Sequence, residues 1–107
     1  MEFIFKVNKD GLTGEVSYKL PTAMERLQVS KHVNYDFIDG DIKEIHYADK
    51  AYRMIEKCKE YVTSVNCKTE DGFEFKDFDT LSMDSRGSEV IGEIANRIIG
   101  GSVLGKP

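Results

Sequence analysis

The sequence contains no tryptophan, only two cysteines and two histidines, and no uninterrupted apolar run of membrane-spanning length. Cys58 and Cys67 do not form a Cys-x-x-Cys pair, and His32 and His46 lie at no spacing typical of a zinc site. We therefore expect two reduced, structural thiols, no metal centre and no cofactor. Because the first residues lack the basic segment and apolar run of a secretory signal, we also expect a cytoplasmic protein that needs no membrane.

An excess of positive charge is missing as well. The 15 Lys and Arg residues are outnumbered by 19 Asp and Glu residues, for a formal net charge of −4. Non-specific affinity for nucleic acid comes from basic side chains that release counterions from phosphates, so we expect no nucleic-acid partner. With 107 residues, 40% of them hydrophobic and 32% charged, the chain suits one globular domain. We predict a single α+β domain over residues 1–100 and a flexible tail over 101–107.

Two N-terminal segments, residues 1–7 and 13–20, alternate apolar and polar side chains as half-buried strands do. The connection contains Asp10-Gly11 and is followed by Gly14. This composition predicts an antiparallel hairpin with a bulge or a slightly long loop rather than a tight two-residue turn. Since an isolated hairpin is marginal in water, helices from later in the chain must cover its apolar face.

The first helix has a clear N-terminal signature. Thr22 and Glu25 have the spacing of a capping box, which predicts a helix over residues 23–33. Residues 34–41 mix aromatic and polar side chains with a glycine. We interpret them as a connecting loop that is anchored by a buried Phe37.

A second capping signature, Asp41 with Glu44, predicts a long helix over residues 42–65. Glycine and proline are absent from its interior, and apolar residues recur at steps of three and four. The members of that stripe are Ile45, Ala48, Tyr52, Ile55, Cys58, Val62 and Val65.

The C-terminal third opens with a turn signal at Asp71-Gly72, after which a short edge strand is predicted near residues 73–76. The acidic stretch that follows is either irregular or a single helical turn capped by Asp79. Ser88 is assigned as the cap of a last helix over residues 88–99. The predicted fold is therefore α+β, with an N-terminal antiparallel hairpin and a short third strand packed against about three helices.

The last helix carries the main functional prediction. Its apolar stripe is wider than one face of a small domain has to bury, which predicts a binding surface for a partner protein or a second copy of the chain. The alternative is that this helix is simply the most buried one. The residues assigned to partner binding are Val90, Ile91, Ile94 and Ile98 on this helix, and Tyr52 on the long helix.

The chain is similar to one known family. A strand pair, a helix opened by Pro-Thr, a long amphipathic helix, an Asp-Gly-Phe-Glu-Phe turn and an apolar C-terminal helix together resemble the small tail assembly chaperones of tailed bacteriophages over residues 3–99. The local motif of this resemblance is Gly14-Glu15-Val16, which leads to Leu20-Pro21-Thr22. The resemblance implies a non-enzymatic protein that coats apolar segments of a tape-measure protein and helps to recruit tail-tube subunits.

No catalytic constellation is apparent. His46 has Asp49 three residues along but no companion nucleophile, which favours a protein that is not an enzyme. One alternative is a metal-dependent enzyme that uses Asp77 and Asp79 with His46, which calorimetric titration with calcium, magnesium and manganese would test. Another is an acidic inhibitor or immunity-type protein that binds a basic partner through residues 70–79, with binding that weakens at high ionic strength.

Overall fold

The computed structural model describes residues 1–38 and 40–99, without the side chains of Phe37 and Ile38. The fold is α+β, as predicted. An antiparallel four-stranded sheet has the strand order β1-β2-β5-β6, and β3 and β4 form a separate two-stranded sheet. The elements are β1 (Glu2–Lys9), β2 (Leu12–Lys19), α1 (Ala23–Asn34), β3 (Tyr35–Ile38), β4 (Asp41–Glu44), α2 (Tyr47–Tyr61), β5 (Val62–Lys68), β6 (Glu74–Phe75), α3 (Phe78–Ser82) and α4 (Ser85–Ile99).

The N-terminal hairpin is confirmed, but its predicted loop is wrong. Lys9 pairs directly with Leu12, so the turn contains only Asp10 and Gly11, with φ values of 49° and 86°. Two positive φ angles in a two-residue turn match the right-handed twist of the strands, which an Asp-Gly pair supports at little cost. Gly14 instead allows a close approach of neighbouring strands, since a Cβ there would lie 2.1 Å from a backbone oxygen of β5.

The first helix begins as predicted. The Thr22 amide donates to the Glu25 carboxylate at 2.9 Å, and the Glu25 amide donates to the Thr22 hydroxyl at 3.2 Å. The interpretation of residues 34–41 as a loop is wrong, because β3 and β4 pair as antiparallel strands across this segment. The predicted burial of Phe37 concerns a side chain outside the described part of the chain.

The predicted helix over residues 42–65 is wrong at both ends. Asp41 and Glu44 lie on β4 and cap no helix, whereas His46 is the N-cap of α2, with its Nδ1 3.4 Å from the Ala48 amide. At the other end, the β-branched run that starts at Val62 leaves the helix and pairs with β2 as an inner strand. The predicted apolar stripe is confirmed in part. Cys58 is buried and Ile55 packs against the core, but Tyr52 is exposed, and Met54, which the stripe does not include, is buried instead.

The acidic stretch contains a short helix, α3, and Asp77 rather than Asp79 is its cap. The Asp77 carboxylate accepts a 2.7 Å hydrogen bond from the Thr80 amide. The predicted edge strand is confirmed, because β6 pairs with the end of β5. The short β6 forms one edge of the sheet, and β1 forms the other.

The last helix starts three residues earlier than Ser88. One carboxylate oxygen of Asp84 accepts hydrogen bonds from the Arg86 amide at 2.9 Å and the Gly87 amide at 3.3 Å. Asp84 thus satisfies amides that α4 leaves without helical partners. The predicted tail over residues 101–107 lies outside the described residues.

The core explains the wide apolar stripe of α4. This helix contacts β1 and β2 of the large sheet and also contacts α1 and α2, so it has neighbours on more than one side. A helix packed between a sheet and other helices must be apolar around most of its circumference. The buried residues of α4 are Gly87, Val90, Ile91, Ile94, Ala95, Ile98 and Ile99. Among residues 1–38 and 40–99, no helix has the length and hydropathy needed to cross a membrane.

Candidate functional site

Most residues assigned to partner binding are inaccessible. Val90 and Ile91 are each 2% exposed, and Ile94 and Ile98 are 0% exposed. The prediction that these side chains form an external apolar surface is therefore wrong, because the surplus apolar area of α4 is covered by the other helices. Tyr52 is 66% exposed and remains available for contact.

Several carboxylates of the acidic segment already have partners within the chain. Asp77 caps α3 through the Thr80 amide, and this hydrogen bond lowers the pKa of Asp77. Asp79 forms a 2.8 Å ion pair with Lys59 of α2. Asp71 accepts a hydrogen bond from a nearby threonine hydroxyl, which lowers the pKa of Asp71. These interactions account for much of the acidic cluster by capping and ion pairing.

The residues considered for metal or nucleophilic chemistry are separated by the fold. Within the described ranges, no group of three or more His, Cys, Asp or Glu side chains is arranged to hold a metal ion. His46 and Asp77 cap different helices. Cys58 and Cys67 are both buried, and burial raises the pKa of Cys58 to about 12. A thiol that stays protonated at neutral pH is a poor nucleophile.

The most unusual surface feature is the two-stranded ribbon of β3 and β4, which we call the arm. Tyr35 pairs with Glu44 at its base, and all four residues of β4 are exposed. At the base, the Ile45 amide donates a 2.9 Å hydrogen bond to the Asn34 carbonyl. The radius of gyration is 15.0 Å, against roughly 13 Å for a compact domain of this length, so the molecule is elongated.

Arg53 ties the arm to the helices. Its guanidinium forms a 2.9 Å ion pair with Asp36 of β3 and donates a 3.0 Å hydrogen bond to the His32 carbonyl near the end of α1. One side chain thereby links α1, α2 and the arm. Lys50 makes a second link, a 3.0 Å ion pair with Glu44 at the end of β4.

A shallow depression, which we call the groove, lies beside the base of the arm. It is lined by His32, Asp36, Asp49, Tyr52, Arg53 and Glu56. A neighbouring depression shares His32, Tyr52 and Glu56 and extends to Phe78 of α3. Tyr52 thus lies where the two depressions meet, surrounded by charges of both signs. This arrangement offers an exposed aromatic ring with a polar rim, which suits contact with another protein better than proton or group transfer.

Sequence reasoning missed the arm and the role of Arg53. The sequence does contain a hairpin signal there, an Asp39-Gly40 pair between short alternating segments. The competing capping signature at Asp41 and Glu44 favours a helix over the same residues. No local sequence pattern indicates the contacts of Arg53, because its partners Asp36 and His32 lie 17 and 21 residues away along the chain.

Comparisons with known proteins identify no relative. No protein-family model matches the chain, no curated protein is significantly similar to it, and no solved structure matches it significantly.

Proposed function

We propose that this protein is a non-catalytic protein-binding protein of an assembly pathway, and that it contacts its partner through the arm and the groove. The observation that carries the proposal is the arm itself. Over the described residues, β3 and β4 pair only with each other and form a separate sheet. A two-stranded ribbon is marginally stable in water. A partner that covered the arm would therefore stabilise it.

The exposed apolar residues of this region support the same proposal. Tyr35 is 45% exposed and Ile42 is 66% exposed, both on the arm, and Tyr52 in the groove is 66% exposed. Aromatic residues are enriched in protein interfaces because they bury a large area at a low cost in side-chain entropy. The free edges of the arm would also allow an extended segment of the partner to add as a further strand.

The resemblance to phage tail assembly chaperones gives this proposal a more specific form. In that form the partner is an apolar segment of a phage structural protein, such as a tape-measure protein, and binding takes place in the cytoplasm of a bacterial or phage-infected cell. The buried α4 would then stabilise the domain, and the arm and groove would provide the binding surface. A partner segment of this kind would bury Ile42 and Tyr52, which are exposed in the free protein.

Affinity capture with matched variants tests the proposal. The tagged protein, an arm variant Ile42→Ser and a groove variant Tyr52→Ala are incubated with an extract of the source cells, and bound proteins are quantified by mass spectrometry. Met83→Ser is the matched control, because Met83 is 87% exposed but lies at the end of α3. We expect a partner that the wild type and the control retain and that both test variants lose.

The same capture experiment distinguishes the proposed arm-and-groove surface from the alternative of an acidic inhibitor that binds through residues 70–79. It is performed at low and at high ionic strength, since contacts between apolar side chains persist in salt whereas binding through exposed charges weakens. Equal recovery with all variants would contradict the proposed surface. Recovery that disappears in high salt, without any effect of Ile42→Ser or Tyr52→Ala, would favour residues 70–79 as the binding segment instead.

A further inference from the structure

Strand β1 offers a free edge along its whole length. It pairs with β2 in unbroken register from Glu2 to Lys9, and among the described residues nothing pairs with its other side. The strand contains no proline and no bulge, which are two devices that natural proteins use to protect an edge. The other edge of the sheet, β6, is only two residues long. The long unpaired edge of the sheet is therefore β1.

The tight turn determines which backbone groups face outward. In a two-residue hairpin, the residues that flank the turn exchange both backbone hydrogen bonds, and this pattern then alternates along the strands. Lys9 pairs with Leu12 across the turn, so the odd-numbered residues of β1 bond to β2. The amide and carbonyl groups of Glu2, Ile4, Lys6 and Asn8 consequently point away from β2 and are available to another strand.

We infer that a second copy of this chain pairs with β1 in antiparallel fashion across a two-fold axis at Ile4, which joins two four-stranded sheets into one. The charges of the strand select this register. When Ile4 faces Ile4 of the second copy, Glu2 faces Lys6 and Lys6 faces Glu2. With the axis at Phe5, Glu2 would face Asn8 and Lys6 would face Ile4. With the axis at Lys6, two lysines would oppose each other, which is destabilising.

The charge pattern extends beyond the two edge strands. Within the hairpin, Glu2 is already opposite Lys19, and Lys6 is opposite Glu15. Pairing at Ile4 therefore produces rows across the joined sheet in which positive and negative side chains alternate over four strands. Each row places a carboxylate next to an ammonium group at every step, so electrostatic complementarity and backbone hydrogen bonding favour the same register.

The helix-covered face of the strand fits the same pairing. In this register Phe3 faces Phe5 of the second copy. Phe3 is 36% exposed and stacks on Tyr18, with ring centroids 5.8 Å apart. Phe5 is buried beneath Arg97 of α4, whose guanidinium carbon lies 4.7 Å from the ring centroid. The pairing would extend this row of aromatic rings and cover Phe3, while Ile4, 56% exposed on the other face, would pack against its own copy.

Complementary charge reversals test the inference. Glu2→Lys places Lys opposite Lys6 in a homodimer, and Lys6→Glu places Glu opposite Glu2, so each variant alone should remain monomeric. An equimolar mixture should form a heterodimer, because both pairs are then of opposite sign. Sedimentation velocity over a range of concentrations measures the mass, starting from 12.2 kDa for the monomer. We expect the wild type and the mixture to approach twice that mass.

Lys68→Glu is the matched control for Lys6→Glu, since it makes the same change in net charge and lies on β5, away from the free edge. It should dimerise like the wild type. A wild type that stays monomeric at all concentrations would overturn the inference, and so would a mixture of folded variants that fails to dimerise. Amide hydrogen exchange adds a readout that needs no variant: the amides of Ile4 and Lys6 should exchange several-fold more slowly at high protein concentration, and equal rates would overturn the proposed pairing.

Discussion

Replacing Ile94 by alanine separates the two interpretations of α4 most directly. The side chain is 0% exposed and lies on the helix that contacts both the sheet and the other helices. The change removes three carbon groups, at about 0.8 kcal/mol each, or roughly 2.4 kcal/mol of transfer free energy. A residual cavity of about 70 Å3 adds roughly 1.7 kcal/mol at about 24 cal/mol per Å3. We therefore expect the free energy of unfolding to fall by about 4 kcal/mol.

Such a loss is a large part of the roughly 5–15 kcal/mol that stabilises a typical domain. Urea denaturation followed by far-ultraviolet circular dichroism measures it, with the midpoint shifted and the slope unchanged. Tyr52→Ala is the control. That residue is 66% exposed, and its replacement should change stability by no more than about 0.5 kcal/mol. If Ile94→Ala cost less than about 1 kcal/mol while partner binding was lost, the helix would be a binding surface and the core described above would be wrong.

Three further predictions concern local features. Gly87→Ala should lower the midpoint of urea denaturation, because the added Cβ would lie 2.0 Å from a backbone oxygen of α3, whereas Gly92→Ala meets open space and should stabilise α4 by about 0.5–1 kcal/mol. The Arg86 side chain and two backbone amides lower the pKa of Asp84 to about 2, so its contribution to stability is present above its ordinary pKa near 4 and is lost as the pH falls toward 2. Asp84→Asn should flatten the pH dependence of the unfolding free energy over that range, and an unchanged pH profile would contradict this role. Cys58 and Cys67 should react with a thiol reagent at pH 8 only after urea unfolds the protein, since burial raises the pKa of both thiols, and rapid labelling of the native protein would refute their burial.

The features that sequence reasoning predicted well are those decided by neighbouring residues. The capping box depends on two side chains three positions apart, Thr22 and Glu25, and it forms at the expected place. The strand alternation in the first hairpin depends on the same short range. The signal at Asp71-Gly72 with the short strand after it also acts over a few residues. The signals for these elements lie within a few residues of each other, although the strands are stable only when the rest of the fold covers them.

The misassigned elements are those in which distant partners outweigh local preference. Residues 62–65 continue an apolar helical periodicity, yet they form a strand because β2 provides a pairing partner for them. In the same way, the Asp41 and Glu44 spacing resembles a capping box, but the hydrogen bonds of the arm give this segment a different conformation. Helical periodicity alone could not decide between these outcomes.

In the candidate site, too, the sequence pattern predicted some properties, and distant contacts decided the others. The sequence pattern places Tyr52 in the apolar stripe of the long helix and assigns it to binding. In the structure Tyr52 is exposed, and it lines the groove rather than a continuous apolar stripe. The assignment of Val90, Ile91, Ile94 and Ile98 to partner binding rests only on their number and spacing. An apolar stripe indicates how much surface area must be buried. It does not indicate whether the same chain or another molecule buries that area.

The sequence by itself determined the α+β class, the N-terminal hairpin, the capped first helix and an amphipathic last helix, because propensity, periodicity and capping act within a few residues. The tertiary structure decided that α4 is enclosed by the sheet and the other helices, that the chain from Val62 joins the sheet, and that Arg53 holds the arm against α1. These outcomes depend on which distant segments come together, and the free energy of that packing is shared among residues far apart in the chain.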